Sequence, residues 1–372
     1  MHLFQQGMSE MLSKSILIMA GGTGGHVYPA LAVADYLRGQ GMQLFWLGTK
    51  AGLESQIVPQ NNIQFFTINI SGLRGKNWIS WLVSPLTLTW AFIQSFRVML
   101  IVRPRVVIGM GGFVSGPGGI AAWLLRIPLF IHEQNSIAGL TNRLLSPFAN
   151  TIMQSFPDVM QGSRVVTTGN PVRRDILLKT LSPIERLEGR ENSPLRLLVL
   201  GGSLGAKVLN EMLPRVMRGL SQDIKVNIWH QTGRAHYEST ISLYQQHDIN
   251  LGKVVPYIDD MAEAYSWSDI VLCRAGALTI SEISIMGVAS ILVPYPYAAD
   301  NHQMTNAKYL SDGGAAVLIP QSEVEDFKIV RLITNFYKNR SLLVKMSTLV
   351  QGHALPNATQ DIGDICLEAL YA

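Results

Sequence analysis

The stretch Ser15-Ile16-Leu17-Ile18-Met19-Ala20-Gly21-Gly22-Thr23-Gly24-Gly25-His26 joins an apolar run to a glycine turn, and a helical pattern, Val27 to Arg38, follows at once. A strand, a glycine loop and a helix in that order form the opening unit of a parallel α/β sheet. Glycines let the backbone approach a ligand closely, and the helix offers unpaired N–H groups and the positive end of its dipole. The loop therefore reads as a seat for an anionic or sugar-like group. Its spacing is not the dinucleotide fingerprint G-x-G-x-x-G. The next strand, Gln43 to Leu47, ends on Gly48 rather than on an acid that would take a ribose hydroxyl. A nicotinamide cofactor is disfavoured.

Outward from this unit, short apolar runs alternate with helical patterns. In the first half strands are expected near Ser15 to Ala20, Gln43 to Leu47, Val106 to Gly109, Pro128 to His132 and Asn150 to Met153. A polar, charged stretch, Ser182 to Pro194, reads as a linker. Strands then recur near Leu195 to Leu200, Lys225 to His230, Asp269 to Cys273 and Ser290 to Pro294, the first of them running into Gly201-Gly202-Ser203-Leu204-Gly205-Ala206. Two strand, glycine-turn and helix units, one opening each half, imply an α/β protein of two Rossmann-like parallel-sheet domains facing a central cleft. The tail carries Ile362, Ile365, Leu367 and Leu370 at near-helical spacing and is expected to pack as a last helix.

The 372 residues suit two domains, and 48% hydrophobic against 15% charged residues gives ample core and excludes disorder. Cys273 and Cys366 form no C-x-x-C, and the eight histidines show no paired ligand spacing, so reduced thiols in the cytosol and no metal centre are expected. Met1 to Lys14 lack the pattern of a signal peptide, and Met8 or Met11 can serve as a start. A net charge of +4 is too mild to argue for nucleic acid. The charge is unevenly placed, however. Residues 72–105 hold Arg74, Lys76, Arg97, Arg103 and Arg105 without one acid, together with Trp78, Trp81 and Trp90. Within them Asn77 to Phe96 is uncharged over twenty residues. On a helical wheel Trp78, Trp81, Leu82, Leu86, Ile93 and Phe96 share one side, Ser80, Ser84, Thr87 and Gln94 another, and Pro85 interrupts the middle. This argues against a membrane span and for a patch lying on an anionic membrane, with an ordinary core helix as the competing reading.

Several residues can carry chemistry. A second glycine loop, Gly109-Met110-Gly111-Gly112-Phe113-Val114-Ser115-Gly116-Pro117-Gly118-Gly119, also follows a strand and opens a helix. His132-Glu133-Gln134-Asn135 ends the next strand, where α/β ligands bind, although a polar loop with helix capping explains it too. His26 lies at or beside a helix N-terminus, whose dipole favours a neutral imidazole able to accept a proton from an attacking hydroxyl; the alternative is a histidine that only bonds its turn. Cys273-Arg274-Ala275-Gly276-Ala277-Leu278-Thr279-Ile280-Ser281-Glu282 runs from strand through turn into helix, so its amides can receive a diphosphate and Glu282 can accept from ribose hydroxyls. Thr279-x-x-Glu282 is equally a capping-box pattern. Arg173, in Gly169-Asn170-Pro171-Val172-Arg173, is either a phosphate clamp or an exposed hinge arginine. No D-x-D pair suggests a metal held against a nucleotide diphosphate, which leaves helix ends and arginine to meet leaving-group charge.

Taken in order, Gly21 to His26, Ile70-Ser71-Gly72-Leu73-Arg74-Gly75, Gly109 to Gly112, His132 to Asn135, Gly169 to Arg173, Gly201 to Ser203 and Gly276 to Thr279 closely resemble the MurG family of bacterial peptidoglycan N-acetylglucosaminyltransferases. The resemblance spans nearly the whole chain from about residue 14. It implies a GT-B fold: an extension over 1–14, an acceptor- and membrane-facing domain over 15–172, a UDP-GlcNAc-binding domain over 173–353, and a terminal helix in 354–372 packing back on the first domain. It also implies transfer of GlcNAc from UDP-GlcNAc to the C4 hydroxyl of the muramyl sugar of lipid I, with inversion and no cofactor, giving lipid II. Ser203 and Arg173 would meet phosphates, Ile258 the uracil, Ala277, Leu278, Thr279, Ile280, Ser281 and Glu282 the diphosphate and ribose, and Gln303 the sugar. Thr23, Gly24, Gly25 and Asn135 would reach the transferred GlcNAc and the acceptor, with His26 as base and Asn135 beside it in catalysis. The place implied is the cytoplasmic face of the bacterial inner membrane, peripherally bound, with other cell-wall synthesis proteins as partners. The chain departs from the family at Leu204 and His302, where glutamines are usual, and at Phe113, where relatives carry tyrosine; these touch fine specificity rather than the reaction. A related transferase acting on diacylglycerol and a non-catalytic sugar-nucleotide module are the competing functions.

Overall fold

The computed structural model describes residues 14–72, 78–202, 204–249 and 252–371, at 78–83 and 371 by backbone alone. The extension 1–13, Arg74, Lys76 and Ser203, and the side chains of Trp78, Trp81 and Leu82, thus lie outside the described residues. The chain divides into two compact units, 1–173 with 356–372 and 174–355.

In the first unit seven strands, β1 (Ser15–Met19), β2 (Gln43–Gly48), β3 (Gln64–Thr67), β4 (Val106–Gly109), β5 (Leu129–Glu133), β6 (Thr151–Gln154) and β7 (Val165–Thr167), align in the order β3-β2-β1-β4-β5-β6-β7, each pair parallel. β1 is buried along its whole length, as a strand covered by helices on both faces must be. Its side chains split between two cores: Ile16 and Ile18 pack with Val27, Ala30 and Ala34 of the helix Gly24–Gly39, whereas Leu17 and Met19 pack with Val98, Met99 and Val102. Each buried valine, leucine, isoleucine or methionine among them contributes about 1.5–3 kcal/mol. The C-terminal helix Ala358–Tyr371 joins the first core through Ile362 and Cys366, and Tyr36 Oη donates to Asp364 Oδ1 at 2.6 Å.

The second unit repeats the plan with β8 (Leu195–Leu200), β9 (Val226–Gln231), β10 (Lys253–Val255), β11 (Ile270–Cys273), β12 (Ala289–Leu292) and β13 (Val317–Leu318), in the order β10-β9-β8-β11-β12-β13, again all parallel. Strand order reverses between β1 and β4 in one sheet and between β8 and β11 in the other. Loops leaving such adjacent strands in opposite directions open the crevice in which open α/β sheets bind ligands. All four glycine turns singled out above follow one of these four strands.

One expectation is corrected here. Ser182 to Pro194 is not a plain linker: it holds the helix Pro183–Leu187, started by a reciprocal capping box between Ser182 and Glu185. From that helix Arg186 is buried and donates to the carbonyls of Ser268 and Gly287 and to Ser347 Oγ. Arg190 also bonds inward, to the Trp267 carbonyl and Asp269, so the two arginines of this stretch serve an internal network while its glutamates face solvent. The helix Trp78–Val102 turns part of the polar side of the wheel inward. Ser84, on the polar side of the wheel, is buried, as are Ala91, Ser95, Val98, Met99 and Val102, while Leu86 (73% exposed), Trp90 (52%), Ile93, Leu100 and Ile101 face out. Ser95 Oγ donates to the Ala91 carbonyl and Gln94 Oε1 accepts from Asn69 N, so these polar groups are met within the protein. The segment Ser84–Val102 is long and apolar enough to cross a membrane by length and composition, with a mean hydropathy of 1.4, yet one of its faces packs on the sheet.

Candidate active site

The helix after β1 begins at Gly24, three residues before the expected start, so Gly24, Gly25 and His26 form its first turn behind the extended N-cap Thr23. No side chain caps this helix and no acid lies in its first turn, which leaves its leading amides to a ligand. Thr23 is exposed, and Gly24, Gly25 and His26 are half-buried. The second glycine loop lies against this turn. A Cβ on Gly111, whose φ is +95°, would come within 2.9 Å of His26 Nε2 and 3.1 Å of Gln134 Oε1, and one on Gly112 (φ +86°) would strike the Gly21 carbonyl oxygen. Glycine at 111 and 112 is thus what allows the two loops and His26 to meet.

The tetrad after β5 is mostly internal. His132 Nε2 lies 2.9 Å from the Gly169 carbonyl, which can only accept, so Nε2 carries the proton. Burial lowers its pKa to about 4, and His26 nearby adds to the shift. Glu133 accepts from the backbone N–H groups of Asn135 (3.0 Å) and Gly139 (2.9 Å) and from Asn142 Nδ2 (2.8 Å), and Gln134 Nε2 donates to the Met110 carbonyl. Of the four, Asn135 alone is more than marginally exposed. Arg173, the last residue of the first unit, sits 6.0 Å above the ring of Tyr28, two residues beyond His26.

In the second unit Gly202 and Gly205 adopt left-handed backbone in the turn after β8, and Leu204 between them is 84% exposed. Ile258 is buried in the loop after β10. The helix Ala277–Met286 starts at an extended Gly276, with no side-chain cap and no acid in its first turn. Thr279 is then the third helical residue, so the capping box is overturned. Glu282 is buried and accepts from Tyr265 Oη at 2.9 Å. Ala277 and Ile280 are buried, while Leu278, Thr279 and Ser281 are half-exposed. Gln303 lies in the first turn of the helix His302–Ser311, behind the left-handed Asp300 and Asn301, and its Oε1 accepts from Tyr295 N at 2.9 Å.

Three residues to which the sequence assigned no role organise these turns. Arg274 donates to the Val293 and Pro294 carbonyls and to Gln321 Oε1, and stacks over Tyr295. Asn306 Nδ2 holds the Ala275 carbonyl. Glu54 bonds the first glycine loop itself. Glu54 and Asn306 are single polar residues in ordinary helices, and Arg274, although inside a quoted turn, belongs to no spacing pattern, so none of the three carried a signal. Among the described residues no group of three potential ligands could hold a metal ion.

Comparison with known proteins adds an independent line. The glycosyltransferase family 28 N-terminal domain matches residues 16–154 and the family 28 C-terminal domain matches residues 196–362. The chain is 47% identical, over 96% of its length and 99% of the relative's, to the UDP-N-acetylglucosamine–N-acetylmuramyl-(pentapeptide) pyrophosphoryl-undecaprenol N-acetylglucosamine transferase of Nitrosospira multiformis, and 45% identical, again over 96% and 99%, to that of Ectopseudomonas mendocina. The crystal structure of MurG from Acinetobacter baumannii superposes with a TM-score of 0.82 at 42% identity, covering 95% of this chain and 99% of that one.

Proposed function

The chain belongs to the family of UDP-N-acetylglucosamine–N-acetylmuramyl-(pentapeptide) pyrophosphoryl-undecaprenol N-acetylglucosamine transferases, and from that premise we propose how its residues divide the reaction. It is a hexosyltransferase of GT-B fold that moves GlcNAc from UDP-GlcNAc to lipid I and forms lipid II. The observation carrying the residue assignment is that each sheet places an uncapped helix N-terminus at its point of strand-order reversal, at Gly24 in one and Ala277 in the other.

The donor belongs to the second domain. Amides at the start of the Ala277 helix meet the diphosphate, with Ser203 and Arg173 adding donors to phosphate oxygens. Glu282 accepts from the ribose, Ile258 lines the uracil, Gln303 takes the sugar, and Leu278, Thr279, Ile280 and Ser281 complete the wall. The acceptor belongs to the first domain, at Thr23, Gly24, Gly25 and Asn135. The C4 hydroxyl oxygen attacks the anomeric carbon of GlcNAc, the bond from that carbon to the diphosphate oxygen breaks, and the hydroxyl proton passes to His26. One displacement inverts the anomeric configuration. The charge that develops on departing UDP is met by the positive end of the Ala277 helix, where fixed dipoles need no reorganisation.

The outward face of the helix Trp78–Val102 supports peripheral attachment to an anionic membrane. Leu86, Trp90, Ile93 and Leu100 lie on one stripe with exposed Arg97, and Arg103 and Arg105 follow at its end. The proposed location is the cytoplasmic face of the inner membrane, where other cell-wall synthesis proteins would be neighbours. Transfer of labelled GlcNAc to a short-chain lipid I analogue tests the reading. Formation of the disaccharide lipid supports it, and transfer to diacylglycerol in its place overturns it.

A further inference from the structure

One peptide unit in the second domain joins a guanidinium to the residue assigned to the donor sugar. Arg274, in the turn after β11, donates from Nη1 to the Val293 carbonyl at 3.0 Å and to the Pro294 carbonyl at 3.2 Å. The peptide that carries the Pro294 carbonyl also carries the Tyr295 N–H, and that N–H donates to Gln303 Oε1 at 2.9 Å. In a trans peptide these two groups point to opposite sides, so arginine and glutamine hold one plane from its two edges. A hydrogen bond from a cation to the carbonyl also polarises the peptide and strengthens the donor at its other end. The guanidinium is itself fixed. Its Nη2 donates to Gln321 Oε1 at 2.7 Å, beyond β13, and its Cζ lies 5.4 Å from the centre of the Tyr295 ring, which meets Tyr297 edge-on at 5.6 Å. Asn306 Nδ2, from the helix His302–Ser311 that carries Gln303, holds the Ala275 carbonyl and ties that helix to the same turn.

A backbone N–H can only donate, so the Gln303 atom facing Tyr295 is the carbonyl oxygen, and Nε2 is left with two N–H groups. Gln303 is half-exposed, and neither of these N–H groups has an acceptor among the described residues. We infer that Arg274 is a positioning residue: through the Pro294–Tyr295 peptide it locks the Gln303 amide so that Nε2 presents donors to oxygens of the nucleotide-linked sugar. This rests on the assignment of Gln303 to that sugar. Arg274 stands two residues before Gly276, at the entry to the helix assigned to the diphosphate, where an arginine could serve as a phosphate ligand. Its hydrogen bonds instead run to the segments that follow β12 and β13. A planar fork suits three acceptors on two segments, and the single nitrogen of a lysine does not.

The test has two arms, both on the full-length chain. In the first, calorimetry compares UDP-GlcNAc with UDP, which lacks the sugar. Arg274→Lys is expected to weaken UDP-GlcNAc about fivefold and to leave UDP within about twofold, and Gln303→Ala gives the same split. Parallel loss of UDP affinity, the mark of a phosphate ligand or of a loosened domain, overturns the inference, and so does wild-type affinity for both ligands. The double variant binds UDP-GlcNAc within about twofold of Gln303→Ala, because both changes act through one amide; fully additive losses overturn the coupling. Should Arg274→Lys not fold, Gln321→Ala removes the Nη2 acceptor alone; it is expected to weaken UDP-GlcNAc about threefold at constant UDP affinity, and no change there overturns the role of Arg274. In the second arm, the Gln303 side-chain amide resonances are followed without ligand. Arg274→Lys displaces them, and resonances identical to wild type overturn the inference. Wild-type UDP-GlcNAc affinity in Gln303→Ala overturns the sugar assignment on which the inference rests. The resonances need neither ligand nor turnover, so they judge the link from Arg274 to the Gln303 amide separately from that assignment.

Discussion

The hydroxyl of Tyr265 donates to Glu282 Oε2 at 2.9 Å, and both residues are buried in the second domain. The carboxylate is therefore held from the neighbouring helix Met261–Trp267 instead of turning back on its own N-terminus. If Glu282 receives the ribose, removing the tyrosine hydroxyl loosens the carboxylate without deleting it. Tyr265→Phe should raise the KM for UDP-GlcNAc about fivefold, close to 1 kcal/mol, at nearly constant kcat, whereas Glu282→Ala should raise it at least tenfold. Steady-state kinetics with a soluble acceptor decides. A change in melting temperature alone, with KM untouched in both variants, would make the pair purely structural.

Gly111 separates the two glycine loops, and its φ of +95° together with the 2.9 Å that would separate a Cβ there from His26 Nε2 leaves no space for alanine. Gly111→Ala should move the imidazole and lower kcat at least tenfold. His26→Ala should lower kcat by about 10² to 10⁴, the range for a positioned general base, while calorimetry gives a UDP-GlcNAc affinity within twofold of wild type. Equal loss of nucleotide affinity in His26→Ala would remove His26 from the acceptor side.

The parts of this architecture that sequence made legible are the buried ones. β1, β4, β8 and β11 are short apolar runs ended by glycine or by a turn, and all nine interior or near-interior strands lie within a residue or two of their expected ends. The four strands that escaped, β3, β7, β10 and β13, are the outer strands of the two sheets. Covered incompletely, β3 and β10 interrupt their apolar residues with Gln64, Thr67 and Lys253, while β7 and β13 are only three and two residues long. The candidate site was legible where backbone geometry demands glycine. It was not legible where one polar side chain reaches across from another element, as Glu54, Arg274 and Asn306 do, because such contacts leave no local period.

The stripe of Leu86, Trp90, Ile93 and Leu100 is apolar, exposed and flanked by Arg97 and Arg103. Insertion of one leucine or isoleucine into the lipid interface contributes about 1.5 kcal/mol, and each arginine near an anionic surface about 1 kcal/mol. Leu86→Glu combined with Ile93→Glu should therefore weaken sedimentation with anionic vesicles by tenfold or more and leave turnover of a detergent-soluble acceptor within twofold. Binding should also fall as salt rises. Vesicle binding that survives the double substitution would place the membrane contact on another face.

Two buried histidines, one in each domain, set the response to acid. His230 Nε2 donates to Asn210 Oδ1 at 3.0 Å, an assignment fixed by Asn210 Nδ2 donating to the Thr232 carbonyl, and its Nδ1 accepts from Tyr244 Oη at 3.1 Å. Burial lowers its pKa to about 3 and that of His132 to about 4, against 6.5 for an exposed imidazole. Between those values and pH 6.5 the unfolded chain takes up protons that the folded chain refuses. Stability is thus complete above pH 6.5 and declines as pH falls toward 4 and then 3, by about 2 kcal/mol for each histidine at pH 5. Denaturant titrations at pH 7.5 and pH 5 should show this loss. His230→Gln keeps a donor and an acceptor but no titrating group, so it should cost stability at pH 7.5 yet flatten the acid slope of the second domain by close to one proton. An acid slope as steep as wild type would mean that His230 is not the group that resists protonation.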